Sequence, residues 1–292
     1  MTTDTHSILT LQCPDQPGIV AAVANLIADV GGNIMNADQH TDRDSEVFLQ
    51  RIEIDGMVDW AAFDLGLAQL IERFSMQHTL HRPGTRDRVV IACSAELYCA
   101  ADLLTRASLG ELDIDVVAIV SDKPAAGELA AQHGVPFRLV DGGLAGDSRA
   151  AQESAFAAVL DELEPDLVVL ARYMRILPEA ITLRWNGRMI NIHHSFLPAF
   201  AGAKPYHRAH QRGVKLIGAT AHYVTAELDA GPIIAQGITP VSHRDEVEDL
   251  VRKGRDVERT TLAMQFGCTL SIEYLCGTTA PASLLESRFG PL

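Results

Sequence analysis

The stretch Met189-Ile-Asn-Ile-His-His-Ser-Phe-Leu-Pro-Ala-Phe-Ala-Gly-Ala-Lys-Pro-Tyr206 changes character within a few residues. It opens on a short apolar run, Met189–Ile192, and passes at once into reactive polar side chains. Apolar runs of this length mark strands buried on both faces of a mostly parallel sheet. Val89–Cys93, Val116–Val120 and Leu167–Leu170 repeat the pattern upstream. Helix-like segments lie between the runs, near Ala100–Ser108, Ala125–Gln132, Arg149–Leu163 and Glu179–Trp185. The alternation predicts an open α/β sheet whose ligand crevice lies at the carboxyl ends of the strands. Asn191 and His193 are two residues apart at such an end, so strand alternation turns both side chains to one face.

An amide beside an imidazole at the mouth of that crevice suits stabilisation of a developing oxyanion and management of protons. Ala219-Thr-Ala-His-Tyr-Val224 reads as a further strand. It leads to Glu227-Leu-Asp-Ala-Gly-Pro-Ile-Ile234, where Asp229 stands on a turn able to return a carboxylate to the same crevice. Asn, His and Asp without a nucleophilic Ser or Cys point to direct transfer or hydrolysis of an acyl group. Ser195 lacks the G-x-S-x-G elbow and reads as a loop-capping serine. His222, on an apolar strand, reads as a packed or supporting histidine. The spacing His207-x-x-His210 suits two metal ligands on a helix, yet no third ligand follows at useful spacing, so no metal is expected. Neither G-x-G-x-x-G nor G-x-x-x-x-G-K-[ST] occurs, which disfavours a dinucleotide or nucleoside-triphosphate enzyme.

The polar stretch His81-Arg-Pro-Gly-Thr-Arg-Asp87 separates this region from a smaller one. Residues 7–81 read as strand, helix, two strands (Asn33–Asp42 and Glu46–Ile54), a second helix (Val58–Phe74) and a short strand (Ser75–Leu80), the ferredoxin-like order. Asp15 is the expected cap of the first helix. The predicted layout is 1–82 for the small domain, 83–87 for the linker and 88–292 for the α/β domain. Over 292 residues there are 24 Lys plus Arg against 38 Asp plus Glu, a formal charge of −14. Such a surface repels a phosphate backbone, so nucleic acid is not an expected partner. No apolar run reaches the roughly 20 residues that span a bilayer, and no secretory signal is visible at the start. The five scattered cysteines, none in a C-x-x-C pair, read as small buried hydrophobes in a reducing compartment. The expected setting is the cytoplasm.

Two resemblances sharpen these readings. Cys13-Pro-Asp-Gln-Pro-Gly-Ile19, opening the ferredoxin-like order, resembles the start of an ACT domain. That likeness implies a homo-oligomer, expected to be a tetramer, and an amino-acid effector such as methionine or glycine. Asn33 and Asn36 are where an effector would sit, although polar strand-edge caps would look the same. Asn191-Ile-His193, with Ser195, Leu197-Pro198 and, 36 residues after His193, Asp229-x-Gly-Pro-Ile, resembles the signature of the formyltetrahydrofolate-using formyltransferase family. The wording His-His-Ser-Phe-Leu-Pro-Ala-Phe-x-Gly-Ala-x-Pro-Tyr is similar to the family's hydrolytic, deformylase branch, whose members carry an amino-terminal ACT domain.

The resemblance implies hydrolysis of 10-formyltetrahydrofolate to tetrahydrofolate and formate, with no cofactor, to supply purine synthesis. Asp229 would activate water while Asn191 and His193 hold the formyl oxygen. The loop Met174, Arg175, Ile176 and Leu177 would wrap the pterin. Ser195 would lie beside the substrate, and His194 with the Gly202–Tyr206 loop, including Lys204 and Tyr206, would close the side from which an amine acceptor approaches. Arg172 and Arg175 would meet the folate's glutamate tail or lie in water, the solvated reading being favoured for Arg172. The chain departs from the family at Ser94-Ala-Glu-Leu-Tyr-Cys99, where relatives read Ser-Lys-x-x-His-Cys, and at Ser121-Asp-Lys123, where they read Ser-Asn-His. The tail from about Met264 departs as well, and residues 277–292 are expected to be poorly ordered. The alternatives are a phosphoribosylglycinamide formyltransferase, which shares Asn191, His193 and Asp229, a methionyl-tRNA formyltransferase, which the charge disfavours, and a non-catalytic ACT-type sensor.

Overall fold

The computed structural model describes residues 6–56, 59–140, 149–197 and 205–268. The chain divides into two units between Thr85 and Arg86. The first runs β1 (Ser7–Pro14), α1 (Ile19–Asp29), β2 (Asn33–Asp42), β3 (Val47–Asp55), α2 (Trp60–Phe74) and β4 (Gln77–His81). Its four strands pair antiparallel in the order β2-β3-β1-β4. Alternation along β1 and the 3.6-residue stripes of the helices bury Leu9, Leu11, Val23, Ile27 and Phe63 in one core. The ferredoxin-like order expected from the sequence is therefore the one observed.

Asp15 does not cap α1. Its backbone N–H donates to Glu46 O at 2.8 Å, which commits it to the end of the β2–β3 hairpin. Gly18 is the N-cap instead, with φ of 97°, a left-handed conformation that glycine adopts without a Cβ penalty.

The second unit contains β5 (Asp87–Cys93), α3 (Tyr98–Leu109), β6 (Ile114–Ser121), α4 (Ala126–Gln132), β7 (Phe137–Leu139), α5 (Arg149–Leu163), β8 (Leu167–Leu170), α6 (Glu179–Arg184), β9 (Met189–His193), α7 (Pro205–Arg212), β10 (Leu216–Tyr223), β11 (Ile233–Pro240) and α8 (Val247–Cys268). The sheet order is β11-β10-β9-β8-β5-β6-β7. Strands β5 to β9 are parallel, while β10 pairs antiparallel with both β9 and β11. The chain builds outward from β5 to β7 and then returns to the other side of β5 with β8. Loops after β5 and β8 thus part at a topological switch point, where open α/β sheets place their ligand crevice. Cys13, Cys93 and Cys99 are buried free thiols, as expected of small apolar side chains. The expectation for residues 277–292 lies outside the described residues, as does Lys204.

Beneath the loop after β8, Tyr173 stacks on Phe156 of α5 with ring centroids 5.2 Å apart. Phe156 is fully buried. Phe156→Ala should cost about 3–5 kcal/mol of stability, lost transfer energy plus the cavity left behind. Urea unfolding of the second unit checks this; a change below about 1 kcal/mol would show that the site collapses around the missing ring.

Candidate active site

Strand β9 delivers Asn191 and His193 to one face at its carboxyl end, as alternation requires. The antiparallel register sets His222 of β10 opposite Asn191 and Thr220 opposite His193. His222 Nδ1 lies 2.8 Å from Tyr223 O; a carbonyl only accepts, so Nδ1 carries the proton. Burial pushes the His222 pKa below its ordinary value, which keeps the ring neutral and leaves Nε2 as an acceptor. The Asn191 amide donates to that Nε2 at 3.2 Å. One amide proton is thereby committed to His222, and the second remains for the crevice. His222 is the supporting histidine that the sequence suggested, and its target is Asn191.

Asp229 arrives from the turn after β10. His193 Nδ1 is 3.3 Å from its Oδ2, while Oδ1 lies 3.7 Å from His222 Nε2, beyond hydrogen-bond distance. The hydrogen bond from His193 holds the Asp229 carboxyl below the usual range, against the burial that would raise it. Two backbone features fix this turn. Asp229 has φ of 56°. A Cβ at Gly231 would lie 1.8 Å from Tyr223 O, so the residue two beyond Asp229 must be glycine for the turn to seat on β10. His193 Nε2 is buried without a hydrogen-bond partner among the described residues and faces the cavity.

That cavity has a volume of about 280 Å³. The loop Met174–Leu177 forms one wall, residues 224–229 another, and Asn191, His193, His194 and His222 line the cavity as well. Met174 and Ile176 expose apolar side chains there, and Met174 N donates to Ser94 Oγ at 3.1 Å, tying the loop to the end of β5. Asn191, His193, His194, Asp229 and the Met174–Leu177 loop therefore converge on a single cavity. Ser195 does not face it as a reagent: it is buried, its carbonyl accepts from Thr220 Oγ1 at 2.9 Å, and its Oγ has no partner among the described residues.

The solvated reading fails for Arg172, whose side chain is mostly buried, whereas Arg175 stays half exposed and is paired with Asp122 at 2.8 Å. Burial alone would raise the Asp122 pKa, but Ser94, Arg175 and Lys123 together hold it low. Asp122 occupies the middle of the departure Ser121-Asp-Lys123, so that substitution anchors the loop. Arg172 is mostly buried and donates to His194 Nδ1 at 2.8 Å. Only its long-range partners reveal this, because a lone arginine after a strand carries no such signal. His210 lies 3.8 Å from Glu246, and among the described residues no cluster of three His, Cys, Asp or Glu is arranged to hold a metal. Among them, too, no helix is long and apolar enough to cross a membrane.

Comparison with known proteins places the chain at two levels. The family model for formyl transferases matches residues 87–265, and the ACT domain model matches residues 7–58. The class is thus an ACT domain joined to a formyltransferase-fold unit. A formyltetrahydrofolate deformylase from Synechocystis is 45% identical over 264 residues, covering 87% of this chain and 90% of its own. The crystal structure of a formyltetrahydrofolate deformylase from Pseudomonas syringae pv. tomato superposes with a TM-score of 0.85 at 42% identity, covering 91% of this chain and 89% of that one. A glycinamide ribonucleotide transformylase from Symbiobacterium toebii reaches a TM-score of 0.59 at 34% identity, covering 64% of this chain and 89% of that one. The chain belongs to the formyltetrahydrofolate deformylase family.

His193→Ala should raise the Asp229 carboxyl toward its unperturbed value of about 3.9, because the dominant lowering interaction is gone. A depressed carboxyl stabilises the fold at pH above the unfolded value and loses that contribution as pH falls through the folded one. The wild type should therefore exceed His193→Ala in stability above about pH 4, and the difference should shrink as the pH falls below that value. Carbon-13 titration of Asp229 and acid-unfolding curves test both, and coincident curves would show that the pair is not formed.

Proposed function

We propose that this chain hydrolyses 10-formyltetrahydrofolate to tetrahydrofolate and formate. The observation that carries the reading is the meeting of Asn191, His193 and Asp229 at one cavity, in a member of the deformylase family. The pterin enters between the Met174–Leu177 loop and residues 224–229, which places the formyl group over His193. His193 meets Asp229 through Nδ1 and presents Nε2 to the formyl oxygen. The second amide proton of Asn191 reaches the same oxygen. These donors act on the charge that develops as the carbon becomes tetrahedral.

Asp229 Oδ1 orients the water and takes one of its protons as the C–O bond forms. The C–N10 bond then breaks, the proton held on Asp229 passes to N10, and the formic acid released ionises to formate. The balance is one water consumed and no electrons exchanged, so the residues present suffice without a cofactor. Formate so released would feed purine synthesis, and the site of action is the cytoplasm.

Residues 1–82 act as the regulatory and oligomerisation module, 83–87 as linker and 88–292 as the catalytic domain. An amino acid of the methionine or glycine kind is the effector, and the oligomer is a tetramer. Asn33 and Asn36, on the exposed edge strand β2, are the candidate effector contacts; they bond locally to Met35 Sδ and Asp38 Oδ2, both at 3.2 Å.

Formate release from 10-formyltetrahydrofolate with no acceptor present tests the reading. Wild type should release formate at a steady rate. Asn191→Ala should be slower by about 10²–10³-fold, the usual effect of deleting one oxyanion donor. Asp229→Asn should abolish measurable turnover. A folded wild type that releases no formate would overturn the assignment.

A further inference from the structure

A second polar cluster lies directly behind the crevice, and the chemistry above does not use it. Glu258 of α8 is 1% exposed. Its carboxylate accepts from Tyr98 Oη at 2.6 Å and from Tyr206 Oη at 2.7 Å. Arg172 Nε lies 3.5 Å away. A buried carboxylate costs much to desolvate and persists where donors and a cation surround it, and such networks are rigid once satisfied. The helix is shaped for this arrangement: a Cβ at Gly254, one turn before Glu258, would lie 2.0 Å from Tyr206 Oη. Burial and the Glu258 charge push both phenols well above their ordinary pKa, so they remain donors.

Arg172 joins this cluster to the reacting groups. Its other arm donates to His194 Nδ1 at 2.8 Å, so Nδ1 is an acceptor and the proton sits on Nε2. Burial, then the Arg172 charge, push His194 down to about 4, which leaves it neutral at physiological pH. Its ring stacks on His193, with centroids 5.0 Å apart and planes 24° apart. Arg172 holds this position with φ of 65°, a conformation that strains a side chain and suits glycine. Nothing in the sheet pairing requires an arginine there.

The consequence concerns which nucleophile reaches the formyl carbon. Folate occupies the space between the Met174–Leu177 loop and residues 224–229, and the carbon must lie within reach of His193 Nε2 and Asn191. His194 lines the same cavity and stacks on His193, beside the place the carbon takes. We infer that His194, propped by Arg172 and Glu258, is a fixed wall that admits water to the formyl carbon and excludes an amine-bearing acceptor. This rests on the hydrolytic reading above and adds the feature that separates hydrolysis from transfer on this fold. Tyr98, one of the departures from the family wording, belongs to the same prop.

The test is partition of the formyl group between water and glycinamide, used as a small primary amine. In transfer, the amine nitrogen attacks the formyl carbon and the C–N10 bond breaks. The proton lost by the amine passes to N10, giving N-formylglycinamide and tetrahydrofolate. Wild type should give formate alone, with no amide above the rate without enzyme. Arg172→Gly, which removes the prop and relieves the backbone, should raise the amide-to-formate ratio about tenfold or more, the scale of discrimination a steric contact provides. His194→Ala removes the wall without disturbing Glu258 and should do the same. The ratio, unlike total turnover, does not move with a general loss of stability. An unchanged ratio in both opening variants, or amide formed equally by wild type, overturns the inference while leaving hydrolysis intact. Absence of formate from wild type overturns the hydrolytic reading itself.

Discussion

The contact between His193 and Asp229 ties the two halves of the site together. His193 is held by a parallel strand in the middle of the sheet, while Asp229 sits on a turn beyond an antiparallel one. Neither position is useful alone. An isolated carboxylate in the crevice would be drawn toward neutrality by burial, and an isolated imidazole would have no fixed orientation. Together they keep a charged acceptor beside an oriented donor, at the end of a strand paired on both sides. The antiparallel return of β10 against β9 is what permits this. It brings His222 opposite Asn191 and sets the following turn above the same strand end.

Backbone strain is distributed in the same sense. Five non-glycine residues have positive φ among the described residues. Glu46, Ser75 and Glu164 lie in a turn or at a helix end, where left-handed residues are ordinary. The other two, Asp229 and Arg172, stand at the crevice. Such a conformation costs about 1–3 kcal/mol at a residue that has a side chain, and persists only when surrounding contacts over-determine it. At Asp229 the contacts are the seat of Gly231 on β10 and the His193 bond. At Arg172 they are Glu258 and His194.

Much of this was legible in the sequence because the signals are local. Arg149–Leu163 and Leu167–Leu170 were read with their observed bounds, since helical spacing and a buried strand each declare themselves within a few residues. Asn191 and His193 followed from alternation alone. What escaped depends on tertiary partners. The edge strands β7 and β11 were missed because one spans three residues and the other is half exposed, so neither has an apolar run. Asp15 had a capping residue's chemistry but spent its backbone on the hairpin end. Arg172 read as solvated because its partners, Glu258 and His194, approach from distant segments.

The two clusters differ in what their charges can do. Asp229 is partly exposed to the crevice and its carboxylate lies beside two imidazoles, that of His193 within hydrogen-bond reach. Glu258 is closed off, and its partners are two phenols and a guanidinium, none of which exchanges a proton at working pH. The first arrangement can carry protons during a reaction; the second can only hold shape. A carboxylate so costly to bury, linked to the reacting imidazole through two residues, Arg172 and His194, has its use in keeping that imidazole's neighbour still. Chemistry at the front of the crevice and selectivity at its back are therefore supplied by the same residue types under opposite degrees of solvation.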